Sequence, residues 1–517
     1  MMTNTIKKDM LIGILLVVVY AIIRSQLPVN GTDLINTLVN QSNRMLLFVL
    51  LTLGYVYHLT AQFYFSKTKD RLIFKLISQH HEKNIIHLLI EAINTVPPKY
   101  QAHIPGKSEK NISGIVFGRD DHNLLVASPE TEEDHVLCIG GTKTGKTTAL
   151  LIPTLRAFKG NAFVVDISGD ISKNVHRQNT LTFAPLSDDS LPYNVFYAID
   201  NESNPTKQLE LLSQLAYLLM PDEPESNDDG RFFLTNGRKM LNACLIHYYE
   251  KNMDFCEICR EIVLTDLDDL LNDIWESADE DTRVYISSFR KTSEKNNAGC
   301  KQSMDESITL FASNHNVRRN LRRPKPNERF INPGMMEDYD IFVQIPQETL
   351  NIIGPLFALI LGQMFDFFYH RPLSVTKPIL FCLDEFACLG RIDILNALRT
   401  LRKRHVRIML LTQSFADLDD IYGPNKRKIM SDNCGYKVIL KATDPDTQEY
   451  ISRLIGEHEV EKVTHSWDGT HDSYTKSMQK ERIIEPAALA YLKDELILIG
   501  PTGYMRLHKN FYYKNYR

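Results

Sequence analysis

The chain has 517 residues, more than one compact domain holds, and the length suggests roughly two to four. Hydrophobic residues at 43% and charged residues at 24% exclude a chain that is mostly disordered. A net charge of −5 excludes a uniformly basic nucleic-acid coat, so any nucleic-acid contact must come from local basic patches.

The first element is an uncharged apolar run at residues 10–23, MLIGILLVVVYAII. It is short for a membrane span, and a cleaved signal peptide is the alternative. The sequence after it, RSQLPVNGT, offers no small-x-small cleavage site. A second run at 45–65 is long enough to cross a bilayer, and together the two predict a transmembrane helix hairpin over 1–66. Lys7 and Lys8 precede the hairpin, and Lys67, Lys69, Arg71 and Lys75 follow it. The loop between holds only Arg24 and Arg44, so the charge bias puts both ends in the cytoplasm. Residues 67–112 are polar, partly helical, and read as a juxtamembrane linker.

Strand and helix then alternate. HVLCIG reads as a strand, TTALLIPTLRAF as a helix and NAFVVDIS as the next strand, the pattern of a parallel sheet covered by helices. This gives the first part of a nucleotide-binding domain at 113–194. Residues 195–330 carry helical-period stretches such as LELLSQLAYLLM and acidic clusters, and read as an all-α inserted domain. Strands return in DYDIFVQI, PILFCLDEF, RIMLLTQS and YKVILKA, which gives the second part at 331–517. The apolar segment LNIIGPLFALILGQMFDFFYH contains Asp366 and lies between strands. It reads as a helix buried beside the sheet, not as a third span. The eight cysteines are mostly single and set in apolar runs, as suits reduced, buried thiols. The CxxC pair Cys256 and Cys259 has no second pair or histidines at metal spacing, and is expected to pack on a helix.

Between the first strand and helix stand Gly140, Gly141, Thr142, Lys143, Thr144, Gly145, Lys146, Thr147 and Thr148, which satisfy G-x-x-x-x-G-K-[ST]. Glycines let backbone N–H groups curl around phosphates. Lys146 is expected to reach the β- and γ-phosphates of ATP, and the Thr147 hydroxyl to hold magnesium. The strand PILFCLDE ends in Asp384 and Glu385. Asp384 is expected to act on magnesium as a Walker-B aspartate does, and Glu385 to polarise the attacking water. Such a pair favours hydrolysis over static binding; the bland alternative is two acids near a helix N-terminus. RIMLLTQS ends in Gln413, a candidate to sense the γ-phosphate or orient water.

At these residues the chain resembles the membrane-anchored coupling ATPases of type IV secretion and conjugation. The likeness runs from about Gly114 onward. It is carried by GIVFGRD, HVLCIGGTKTGKTT, FAPLSDDSLPYNVF and NCGYKVILKATDPDTQEYISRLIG, and most specifically by LDEFACLG followed by LLTQSFADLDDIYG. The resemblance implies a RecA-like P-loop ATPase core, a cytoplasmic (inner) membrane location with the ATPase domain in the cytoplasm, and a homohexamer under a membrane channel. It also implies partners: single-stranded DNA bound without sequence preference, a relaxase, and components of the type IV secretion channel. One departure is that the family's Asp-x-Lys-Gly reads here Asp166, Ile167, Ser168, Gly169.

A ring motor needs a charge supplied in trans. The resemblance implies Arg402, in LRTLRKRHVRIM, as that arginine; Arg399, Arg404 and Arg407 are alternatives, and a solvated basic helix end is the bland reading. Two basic clusters could neutralise DNA phosphates or simply be solvated faces. They are Arg318, Arg319, Arg322, Arg323 and Lys325, and then Lys426, Arg427 and Lys428. The leading functional expectation is a motor that pumps single-stranded DNA with its attached relaxase into a secretion channel. The competing one is a membrane-anchored receptor for protein effectors that uses ATP as an assembly switch.

Overall fold

The computed structural model describes residues 101–103, 113–129, 134–167, 169–222, 227–467 and 472–514. The expected membrane hairpin, nearly all of the linker, and Ser168 lie outside the described residues. Among the described residues, no helix is long and apolar enough to cross a membrane.

The described strands are β1 Gln101–His103, β2 Val116–Arg119, β3 Leu125–Ala127, β4 Val136–Gly140, β5 Asn161–Asp166, β6 Thr180–Phe183 and β7 Asp340–Gln344. They continue as β8 Ile379–Leu383, β9 Val406–Thr412, β10 Tyr436–Lys441, β11 Glu457–Trp467, β12 Asp472–Arg482, β13 Glu495–Gly500 and β14 Gly503–His508. All but β11 and β12 form one sheet in the order β1-β3-β2-β14-β13-β10-β4-β9-β8-β5-β7-β6. From β10 to β6 every pairing is parallel; β13, β14, β2, β3 and β1 extend it antiparallel.

The parallel strands are covered on both faces, which is why they read as unbroken apolar runs. Side chains alternate between two cores. Leu137, Ile139, Phe163, Val165, Phe381 and Leu383 face one. Val136, Cys138, Ala162, Val164, Leu380 and Cys382 face the other. The first core runs without a break into the helices between Tyr197 and Asn320, through Phe255, Met304 and Phe311. The helical segment is therefore welded to one face of the sheet by shared burial.

The apolar helix Gly354–Tyr369 lies in that core, with Phe365 and Phe368 packed against Phe381 at ring distances of 5.1 and 5.9 Å. Cys256 and Cys259 sit buried on the helix Phe255–Leu264, whose start is fixed by a capping box between Asp254 and Glu257. All eight cysteines are unpaired, and Cys388 alone is exposed.

The long antiparallel hairpin of β11 and β12 is an element the sequence did not announce. Its strands carry charged and polar residues on both faces, as in Glu459, Glu461, Lys462 and Lys480, so no apolar stripe marks it.

Candidate nucleotide site

β4 ends at Gly140, and the chain turns back over its own strand end before the helix begins. Gly145 sits at φ 104°, a conformation open to glycine and costly for other residues. Gly140 is needed for another reason: a Cβ there would lie 2.5 Å from Thr144 Oγ1. Thr144 is held by donating to the Gly141 carbonyl at 2.8 Å, while Thr142 and Lys143 are exposed at the loop tip. The helix opens as a π-helical turn, Lys146–Leu151, and continues as Ile152–Ala157. A helix that starts at the end of such a loop offers its first-turn backbone N–H groups to anions.

β9 lies between β4 and β8. Three parallel strands therefore deliver their C-terminal ends side by side: the phosphate loop from β4, Gln413 from β9, and Asp384 with Glu385 from β8. Clefts at the carboxyl ends of parallel strands are where such sheets bind ligands. Lys146 Nζ donates to the Gly140 carbonyl at 2.8 Å and pairs with Glu385 Oε1 at 3.0 Å. Thr147 donates its hydroxyl to Asp384 Oδ2 at 3.2 Å. Gln413 Nε2 donates to Glu385 Oε2 at 3.3 Å. The structure thus brings together five of the residues expected from sequence: Lys146, Thr147, Asp384, Glu385 and Gln413.

The two acids differ in setting. Asp384 is buried, and desolvation with the neighbouring Glu385 charge pushes its carboxyl up to about 6, against the pull of Lys146. Glu385 is partly exposed and adopts left-handed backbone at φ 46°. A non-glycine residue there stores on the order of 1 kcal/mol of strain. That turn swings Glu385 back toward Lys146. A hydroxyl and a carboxylate oxygen side by side are a hard-oxygen donor set of the kind magnesium takes with nucleotide phosphates, so Thr147 and Asp384 fit that ion.

Asp166 accepts from Ile171 N–H, Ser172 N–H and the Ser172 hydroxyl, at 3.2, 2.8 and 2.6 Å. It thereby fastens the turn after β5, where Gly169 has φ 69°. Arg402 lies elsewhere. It precedes β9, at the opposite edge of the sheet, and pairs with Asp134 just before β4 at 2.5 Å. The length of β9 puts it roughly 20 Å from its own phosphate loop, so it serves no phosphate within its own chain. Of the alternatives, Arg407 is buried on β9, Arg404 donates to the Arg371 carbonyl, and Arg399 is exposed.

Four of the eight basic-cluster residues pair with acids of their own chain. Arg322 is bidentate to Glu328 at 2.7 and 2.6 Å. Arg323 bonds Asp200 and covers the Phe196 and Tyr249 rings, and Arg319 pairs with Asp188. Arg427 pairs with Asp419 and lies over Phe415 and Tyr450.

Sequence reasoning missed one contributor, the segment after β14. Phe511 packs against Gly145, and Tyr512 N–H donates to the Thr148 carbonyl at 3.1 Å. The aromatic run FYY at 511–513 was the available signal.

A parallel α/β sheet with a phosphate loop on one strand and paired acids two strands away defines the class: a P-loop nucleotide-binding protein. The chain belongs to the family described as type IV secretory system conjugative DNA transfer, whose model matches residues 87–517. Among its relatives, protein VirD4 of Rhizobium radiobacter is 23% identical over 441 residues, covering 78% of this chain and 61% of the relative. The probable conjugal transfer protein TraG of Sinorhizobium fredii is 23% identical over 399 residues, covering 74% of this chain and 62% of the relative. The chain thus spans about three fifths of the length of these curated relatives. The fold is that of the bacterial conjugative coupling protein TrwB. Its unbound form superposes with a TM-score of 0.61 at 18% identity, covering 79% of this chain and 90% of that one. TrwB has also been solved with an ATP analogue, at TM-score 0.61 and 18% identity over 81% of this chain and 95% of that one. A further complex, with ADP and Mg2+, matches at the same TM-score, identity and coverage.

Proposed function

We propose that the chain is an ATP-hydrolysing coupling protein of the inner membrane that moves single-stranded DNA, with its attached relaxase, into a type IV secretion channel. The observation that carries the hydrolytic part is the meeting of Lys146, Thr147, Asp384, Glu385 and Gln413 at adjacent strand ends. In this reading the loop backbone and Lys146 bind the β- and γ-phosphates of ATP. Thr147 and Asp384 hold magnesium, which neutralises developing phosphate charge when bound. Arrival of the γ-phosphate draws Lys146 away from Glu385. The freed carboxylate then takes a proton from the attacking water, which Gln413 helps to orient. Arg402 stands clear of its own site, and this supports a role in trans on the neighbouring protomer of a homohexamer.

The DNA cargo, the relaxase and channel partners and the membrane setting are supported by family membership and by the names of the relatives. A protein receptor that uses ATP only to assemble is the competing outcome. The test is a pair of variants. Glu385→Gln should keep ATP binding within about threefold and lower turnover ~100-fold or more. Lys146→Ala should lose both binding and turnover. Turnover by Glu385→Gln at the wild-type rate would remove the carboxylate from its assigned role.

A further inference from the structure

The helix that follows the phosphate loop carries a defect in its own hydrogen bonding. Ile152 donates its N–H to the Thr147 carbonyl, five residues back. In that register the Thr148 carbonyl would bond the N–H of residue 153. Residue 153 is proline and has none. The carbonyl one residue beyond Thr147 therefore lacks the donor that this register would give it.

Tyr512 supplies it. Its N–H reaches the Thr148 carbonyl at 3.1 Å, from a point in the chain more than three hundred residues later. The segment that carries Tyr512 is fastened along its length. Lys509 N–H donates to the Asp494 carbonyl at 2.8 Å, and Lys509 Nζ to the Lys493 carbonyl at 2.7 Å. Asn510 Oδ1 accepts from the buried Arg119 Nε at 2.7 Å. The Tyr512 ring lies under the Arg156 guanidinium at 4.9 Å, which ties it to the same helix about two turns on. Between these anchors, Phe511 seats on the loop: a Cβ on Gly145 would stand 3.2 Å from its ring. Gly145 thus lacks a side chain both for its backbone angle and for this ring.

We propose that residues 509–514 are a positioning element of the phosphate site, with Phe511 and the Tyr512 N–H setting the loop and the first helical turn in their phosphate-binding geometry. This rests on the reading of 140–148 as the phosphate loop. Phe511 touches the loop from behind Gly145, and Tyr512 acts through its backbone. The element therefore governs how the phosphates are held and does not react with them.

The test is competition of ATP, and separately of inorganic tripolyphosphate, against a fluorescent ATP analogue on the full chain. Tyr512→Pro, which deletes the donor, should weaken both competitors about tenfold. Tyr512→Ala keeps the N–H and should weaken them less than about threefold. Pro153→Ala restores an N–H within the helix, so Tyr512→Pro combined with Pro153→Ala should recover most of the loss. Phe511→Ala should weaken both competitors, and Phe511→Leu should restore part of the binding. Tyr512→Pro binding both at the wild-type level, or no recovery with Pro153→Ala, overturns the proposal. So does a loss for ATP without one for tripolyphosphate, which would make the segment a base contact instead. Lys146→Ala separates the two levels: if it leaves tripolyphosphate binding intact, the phosphate-loop reading itself fails. If it abolishes binding while the Phe511 and Tyr512 variants do not, only this inference falls.

Discussion

At the residue scale the site is a compromise between folding and function. Asp384 is a carboxylate kept in a buried place with one hydroxyl, one backbone N–H and a nearby ammonium for company. Its raised carboxyl marks a charge the free protein holds at a cost, which a bound cation would relieve. Asp384→Asn should therefore stabilise the nucleotide-free protein at neutral pH by on the order of 1 kcal/mol while turnover is lost. A thermal melt without nucleotide or magnesium checks this, and a lower melting temperature for the variant would contradict it. Much of this scale was legible in sequence. The G-x-x-x-x-G-K-T spacing and the Asp384–Glu385 pair at a strand end named their residues because backbone chemistry demands those types there. The left-handed turn at Glu385 was not legible, since nothing in LDEFACLG requires φ above zero at a glutamate.

At the scale of elements, parallel strands betrayed themselves as apolar runs. The β11–β12 hairpin, polar on both faces, did not. The segment after β14 was missed for another reason. Its role depends on a missing N–H at Pro153 that matters only once the two are neighbours in space.

The start of β4 offers a second test at this scale. His135 Nδ1 accepts from Ile408 N–H at 3.0 Å, and Nε2 donates to the Leu398 carbonyl at 3.0 Å, so the ring joins β4 to β9 in its neutral form. Burial, then Arg402 and Arg407, hold its pKa down at about 4, against the Leu398 carbonyl and Asp134, which favour the cation. The unfolded chain takes up this proton near 6.5 and the folded one only near 4. Stability is therefore full above 6.5 and falls as pH drops toward 4, by about 3 kcal/mol from this group. His135→Gln should show a shallower loss of melting temperature across that window; an unchanged slope would contradict the assignment.

The Arg323 pairing gives a third expectation. Arg323→Ala should cost roughly 2 kcal/mol of stability, because it unpairs Asp200 and uncovers two rings. A variant as stable as the parent would contradict this structural role for Arg323.

At the scale of the whole molecule, the nucleotide site and Arg402 lie on opposite edges of one sheet, joined by β9. A protomer so built is incomplete alone if the arginine acts on phosphate, and complete only in a ring where one edge meets the other. Arg322, Arg323 and Arg427 are held by acids of their own chain, so under the proposed function DNA would have to meet other basic groups. The proposed function requires an ATPase that depends on assembly and is driven by DNA. The most direct test is the ATPase rate per protomer, measured across protein concentrations with and without single-stranded DNA. The rate is expected to rise with protein concentration, to rise again with DNA, and to vanish in Lys146→Ala. A slow rate unchanged by either concentration or DNA would contradict it.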